Sequence, residues 1–172
     1  MLDSKVAELL NDQINKEMYS AYLYLDFSNF YANKGLNGYA NWYHIQAKEE
    51  MDHALGILNY LQDNDYAVSL SAIAKPDKEL VHLDDPLKFG LEHEIYVTQL
   101  IHTIYDAAYN VKDYRTMKFL DWYVSEQGEE EKNANDLLTQ FELFGNDPKS
   151  LYALNNELAQ RTYTQSSILA GE

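Results

Sequence analysis

Apolar residues recur in steps of three and four over five stretches of the chain, the spacing that gives an α-helix one apolar face. The first stretch runs from about Asp3 to Tyr31, with Val6, Leu10, Ile14, Ala21, Leu25 and Ser28 on its stripe. "NKGLNG", residues 33 to 38, interrupts it. A second stretch from about Leu36 to Asn64 carries Tyr43, Ala47, Ala54, Ile57 and Leu61, and loses its period in "DNDYAVSLSAIAKPDKELVHLDD". Asp84 and Asp85 before Pro86 predict the start of a third helix, with a capping acid and then proline in the first turn, running to about Asn110. Asp113 predicts a cap for a fourth helix, through Phe119, Tyr123, Ala134, Leu137 and Phe141 to a stop near Gly145. "NDPKSLYALNNELAQR" restarts the pattern, with Asp147 as cap, Pro148 next and Leu151, Leu154 and Leu158 on one stripe.

Short links make helices one and two, and then three and four, antiparallel neighbours. A structureless connection of about twenty residues is unusual unless it crosses the length of a domain. Here it carries the chain back, so that helix three runs parallel to helix two. The expected fold is all-α: a four-helix bundle over residues 1–145 with a long crossover between helices two and three, then a short fifth helix and tail over 146–172, one domain overall.

Composition narrows the function. The net charge of −15 disfavours a nucleic-acid partner, since phosphate binding depends on Lys and Arg, and makes metal cations the natural ones. With 46% apolar residues and fifteen tyrosines the chain can still collapse into a core. The absence of cysteine excludes disulfides, thiolate zinc sites and cysteine-bound iron-sulfur clusters. "MLDSKVAELL" lacks the pattern of a signal peptide, and runs such as "AYLYL" are far below the ~20 residues of a membrane span, so a cytoplasmic protein with no membrane partner is expected.

The chain also repeats itself. When Glu17 is laid on Glu94, Tyr19 falls on Tyr96, Leu23 on Leu100, Glu49 on Glu126, Glu50 on Gln127 and His53 on Glu130. Each half thus offers one acid on its first helix, and on its second a pair of donors three residues apart, one turn above each other. Glu17, Glu50, Glu94, Gln127 and Glu130 all interrupt apolar stripes, so they are expected to point inward. One inward Glu or His is commonly a satisfied core group; six in matching positions of a repeat are not so easily explained. Four buried carboxylates would repel one another, and no Lys or Arg lies on those stripes to neutralise them. Two divalent ions would balance Glu17, Glu50, Glu94 and Glu130, with His53 and Gln127 as neutral ligands. In isolation, the run Glu126 to Glu131 reads as a solvated face and Tyr24 as core packing.

"NKEMYSAYLY", "AKEEMDHA", "EHEIY" and "FLDWYVSEQGEEEK" together resemble the non-haem bacterial ferritins, and the resemblance covers essentially the whole chain. It implies an iron store with a ferroxidase centre inside each bundle. Glu17, Glu50 and His53 would hold one iron; Glu94 and Glu130, assisted by Gln127, the second; Glu50 would bridge. A third iron would use Glu49, Glu126 and Glu129 with Glu130 shared. Tyr24 matches a tyrosine near the centre that can supply an electron, and Trp122 lies about one turn before Gln127. The resemblance further implies Fe(II) with dioxygen or hydrogen peroxide as reactants, a ferric oxide mineral, and a hollow shell of twenty-four chains. The fifth helix would then pack at a subunit junction, although its leucine face could equally lie on its own bundle.

Two alternatives remain open on sequence. Met51 stands where bacterioferritins place a haem-ligating methionine, but their second motif is Glu-x-x-His and here the pair is Gln127 and Glu130, so no haem is expected. A metal-binding storage scaffold without fast oxidation is the other. Gly128, between two expected ligands, costs roughly 1 kcal/mol relative to alanine in a helix, which suggests a close contact or a local bulge.

Overall fold

The computed structural model describes residues 2–169 and, among these, all regular structure is helical. The order is α1 (Ser4–Asn33), α2 (Asn37–Asp63), α3 (Asp85–Asn110), α4 (Tyr114–Phe144) and α5 (Pro148–Leu158), followed by a 3₁₀ turn at Ser167–Leu169. The expected caps are made at two places: Asp113 accepts from the Thr116 N–H, and Asp147 from that of Ser150. Asp3 caps α1 in the same way. Asp84 differs from expectation. It makes no side-chain cap, because its carboxylate pairs with Lys88 one turn on, while Asp85 folds back to accept from the N–H groups of Val81 and His82.

The crossover, residues 64–84, is bound to α1 rather than loose. Asn11 exchanges hydrogen bonds with Ser69, Asn15 donates to the carbonyls of Ser71 and Ala72, and Tyr19 donates to Asp77. These α1 residues are four apart and so share one face. The loop therefore climbs alongside α1 and delivers α3 at the far end, where Tyr31 donates to the Leu83 carbonyl and Tyr43 to that of Pro86. This places the start of α3 beside the start of α2, the parallel arrangement that the long link requires.

Two apolar clusters fill the bundle. One holds Val6, Leu10, Ile14, Ile57, Leu61, Ile101 and Leu120; the other is aromatic, with Tyr24, Phe27, Tyr31, Tyr39, Tyr43 and Phe141. The α1 stripe departs from expectation at Leu25, which is 43% exposed. Beyond Ala21 the buried positions are Leu23, Tyr24, Phe27 and Tyr31, so the inward face has turned to meet both α2 and α3. Leu25 falls on the outer edge with Tyr22, beside residues 75–79 of the crossover.

α5 lies on its own bundle. Leu158 is buried and Leu151 and Leu154 pack against the aromatic cluster, so the leucine stripe does not face outward to a junction. Asn155 on α5 also serves α2, which has no side-chain cap of its own: its Oδ1 accepts from the N–H of Gly38 at 2.8 Å and of Tyr39 at 3.4 Å. A Cβ on Gly38 would meet the Asn155 carbonyl oxygen at 1.6 Å, so glycine is required there.

Candidate metal centre

Between the two apolar clusters lies a layer of buried polar side chains contributed by all four long helices: Gln13, Glu17 and Ser20 from α1, Gln46, Glu50 and His53 from α2, Glu94 from α3, and Gln127 and Glu130 from α4. The inward orientation expected for Glu17, Glu50, His53, Glu94, Gln127 and Glu130 is therefore found, with each at most 5% exposed. Ligand atoms of Glu17, Glu50 and His53 lie within 4.8 Å of one another, and so do those of His53, Glu126 and Glu130. His53 Nδ1 is 3.5 Å from Glu50 Oε2, and its Nε2 is 3.9 Å from Glu126 Oε1.

Several of these atoms have no partner. Glu17 Oε2, Glu50 Oε1 and both ring nitrogens of His53 are buried without a hydrogen bond. Leaving buried polar atoms unmade costs roughly 1–3 kcal/mol each, more for charged groups, so the arrangement is stable as a set only with a cation or protons among them. Burial drives the carboxyls up: Glu94 to about 6, and Glu50 and Glu130 well above the usual value, each raised further by neighbouring acids. Glu17 is also raised by burial, against which His53 and the Gln13 amide act.

Glu94 is oriented differently from the other acids. Tyr24 donates its hydroxyl proton to one Glu94 oxygen, and Gln127 Nε2 donates to the other at 3.1 Å. The second expected set, Glu94 with Glu130 and Gln127, is thus adjacent but turned inward on itself, and Glu130 instead shares a group with His53 and Glu126. Burial and the charge of Glu94 push the Tyr24 hydroxyl up. A narrow cleft lined by Tyr24, Trp42, Gln46, Glu94, Glu130 and Asn133 reaches the layer, with room of about 10 Å³, the scale of one water.

Of the expected third set, Glu126 approaches His53, Glu129 is exposed, and Glu49 is held by Arg161, whose Nη2 is 2.6 Å from Glu49 Oε2. Trp122 sets its indole edge-on to the His53 ring at 5.4 Å between centroids. Met51 is exposed on the outward face of α2. The helix is unbroken at Gly128 and a Cβ there would meet nothing within 4 Å, so neither the close contact nor the bulge exists. Glu131 is half-buried rather than solvated, accepting from the Thr98 hydroxyl.

Sequence reading missed the two amides that support the centre. Gln13 Nε2 donates to Glu17 Oε1 at 2.8 Å, and Gln46 Nε2 to Glu130 Oε2 at the same distance. Gln13 lies one turn before Glu17, a spacing that could have been read; Gln46 and Glu130 are brought together only by the packing of α2 on α4. Also unforeseen is His93, half-buried beside Tyr24, its Nε2 2.7 Å from Ser20 Oγ, with desolvation lowering it to about 4.

A Ferritin-like domain model matches residues 7–144, covering the four long helices and the layer between them. The chain belongs to the ferritin family. It is similar to a bacterial non-heme ferritin of Campylobacter jejuni, 39% identical over 88% of this chain and 91% of that one. A bacterial non-heme ferritin of Staphylococcus saprophyticus is 34% identical over 96% of this chain and 99% of its own. Among solved structures, an engineered closed form of the Archaeoglobus fulgidus ferritin superposes with a TM-score of 0.93 at 38% identity, covering 95% of this chain and all of that one. The open pore ferritin of the same archaeon gives 0.91 over 94% of this chain. No described helix is long and apolar enough to cross a membrane.

Proposed function

We propose that this ferritin stores iron and that the buried layer is its ferroxidase centre, oxidising Fe(II) to Fe(III) with dioxygen. The observation that carries this reading is the set of unpartnered oxygens and nitrogens on Glu17, Glu50 and His53, walled in by further acids with no Lys or Arg among them. Glu17, Glu50 and His53 would take one ferrous ion, Glu94 and Glu130 with Gln127 the second, and Glu50 would bridge the two. Carboxylate oxygens with one imidazole suit ferrous and ferric iron and leave positions open for dioxygen.

Two ferrous ions each give one electron to a single dioxygen, which takes up two protons and leaves as hydrogen peroxide. Holding both ions together avoids a one-electron step that would release superoxide. If that peroxide is reduced in turn to two waters, Tyr24 supplies one of the two electrons needed and a further ferrous ion the other, the Tyr24 hydroxyl proton passing to the Glu94 oxygen that already accepts it. The ferric ions move toward the acids of α2 and α4 and accumulate as a hydrated oxide within a homo-oligomeric shell, a reading supported by the superposition on the closed-form and open pore ferritins. Glu126 and Glu129 extend the acidic path from the centre.

Stopped-flow mixing of metal-free protein and ferrous iron with oxygenated buffer tests this against a passive store. Replacing His53 and Glu130 together by Ala is expected to abolish the fast phase while assembly persists; equal rates in variant and parent would leave a scaffold as the better reading.

A further inference from the structure

After α5 the chain does not leave the bundle. Residues 159–169 lie as a strap along α2, running in the same direction as the helix. Asn41 Nδ2 donates to the carbonyls of Leu158 and Arg161 at 3.2 and 3.0 Å. The Arg161 guanidinium stacks over Trp42 at 4.0 Å from the ring centre and donates to the Trp42 carbonyl. Further along, the Tyr163 hydroxyl and the Ser166 N–H both donate to Asp52, at 2.7 and 2.9 Å. Trp122 Nε1 donates to Ser167 Oγ at 2.9 Å, and Ile168 packs beside Gly56. The anchors on α2, Asn41, Trp42, Asp52 and Gly56, sit on the face next to the one that bears Glu50 and His53, while Trp122 holds the strap from α4.

The strap thus delivers one fixed positive charge to the edge of the buried layer. The Arg161–Glu49 pair has side chains only 21% and 19% exposed. Among the described residues it is the one Lys or Arg ion pair that joins separate elements; Lys88–Asp84 and Lys132–Asp136 are single-helix pairs on the surface. Glu49 lies one turn before His53 on α2, and the His53 ring stands 3.9 Å from Glu126, so Glu49 is on the side of the centre where Glu126 and Glu130 stand. A guanidinium held by stacking, a carbonyl and a carboxylate is largely pre-organised, and it gives Glu49 the cation that a metal ion would otherwise supply.

We infer that Arg161 holds Glu49 out of metal binding, so that the centre of this chain takes two divalent ions where the acids around it would otherwise accommodate three. The inference rests on reading the buried layer as a metal centre. Removing the guanidinium frees Glu49 to join Glu126 and Glu130, three acids from two helices without a compensating charge. A third ion then enters at their edge.

Zinc, which has no redox chemistry, reports binding without oxidation. Metal-free protein is titrated calorimetrically with Zn(II), and the ions retained after gel filtration are counted. The parent is expected to keep two per chain, Arg161→Ala three, and Arg161→Ala combined with Glu49→Gln two again. Arg161→Gln, which retains the stem against Trp42, is a second route to three should the alanine variant fold poorly. A parent that keeps three, or folded Arg161 variants that keep two, overturns the inference while leaving the centre intact. A parent that retains none overturns both.

Discussion

The Gln46 amide donates to Glu130 across 2.8 Å, joining α2 to α4 inside the buried layer. With Gln13 on Glu17 it fixes one oxygen of a carboxylate and leaves the rest of that group to face the centre. A neutral donor does this without cancelling the charge that a cation needs. Removing such supporting groups typically costs 10–100-fold in metal affinity. Gln46→Leu is therefore expected to weaken divalent binding by about that factor with the helical content unchanged, read by calorimetry and circular dichroism. Unaltered affinity would show that Glu130 is positioned by packing alone.

The pH dependence of the metal-free protein has a definite sign. The folded state binds protons more tightly than the unfolded chain at Glu17, Glu50, Glu94 and Glu130, so their contribution is present below the usual Glu value of 4.5 and is lost as pH rises through the raised values. For Glu94 alone, raised to about 6, the loss is on the order of 2 kcal/mol. Denaturant midpoints should thus fall between pH 5 and 8. Saturating Zn(II) should reverse the slope, because ionised ligands then gain a partner. A midpoint that rises with pH without metal would contradict the placement of these acids.

Two glycines are expected to respond oppositely. Gly128→Ala meets open space inside a helix and should stabilise by about 0.5–1 kcal/mol without changing metal stoichiometry. Gly38→Ala drives a methyl into the Asn155 carbonyl and should cost about 1–3 kcal/mol or undock α5 from α2. Thermal unfolding of both, with Trp42 fluorescence following the α5 end of the bundle, separates the cases.

Tyr24→Phe removes a hydroxyl proton donor from Glu94 while retaining the ring packed between Phe27 and Tyr43. Stability should change little. If Tyr24 supplies an electron during oxidation, a tyrosyl signal seen by electron paramagnetic resonance in the parent should be lost and the yield of hydrogen peroxide per iron should increase. The same signal in the variant would assign the radical elsewhere.

The bundle was legible because both its signals are local. Periods of three and four mark the helices, and Asp113 and Asp147 announce their starts within a single turn. The inward acids were legible because charged residues interrupted apolar stripes at matching places in both halves. What escaped was long-range or ambiguous in phase. Nothing near Leu25 marks where α1 stops facing the core, since Leu23, Tyr24 and Leu25 are all apolar. The choice between Asp84 and Asp85 depends on Lys88 and on the fold-back of Val81 and His82. Arg161 reaches Glu49 across more than half the chain, and no pattern in "AQRTYTQSS" points to an acid in α2. Gly128 stood out by composition alone, and the structure has no use for its missing side chain.

The most direct test of the centre is an anaerobic titration of metal-free protein with Fe(II), each sample then mixed with oxygenated buffer while ferric absorbance and oxygen uptake are followed. The account predicts a fast phase that saturates at two irons per chain with one dioxygen consumed for the pair. Oxidation no faster than in buffer alone, at any loading, would contradict it and leave Glu17, Glu50, His53, Glu94 and Glu130 as a passive site.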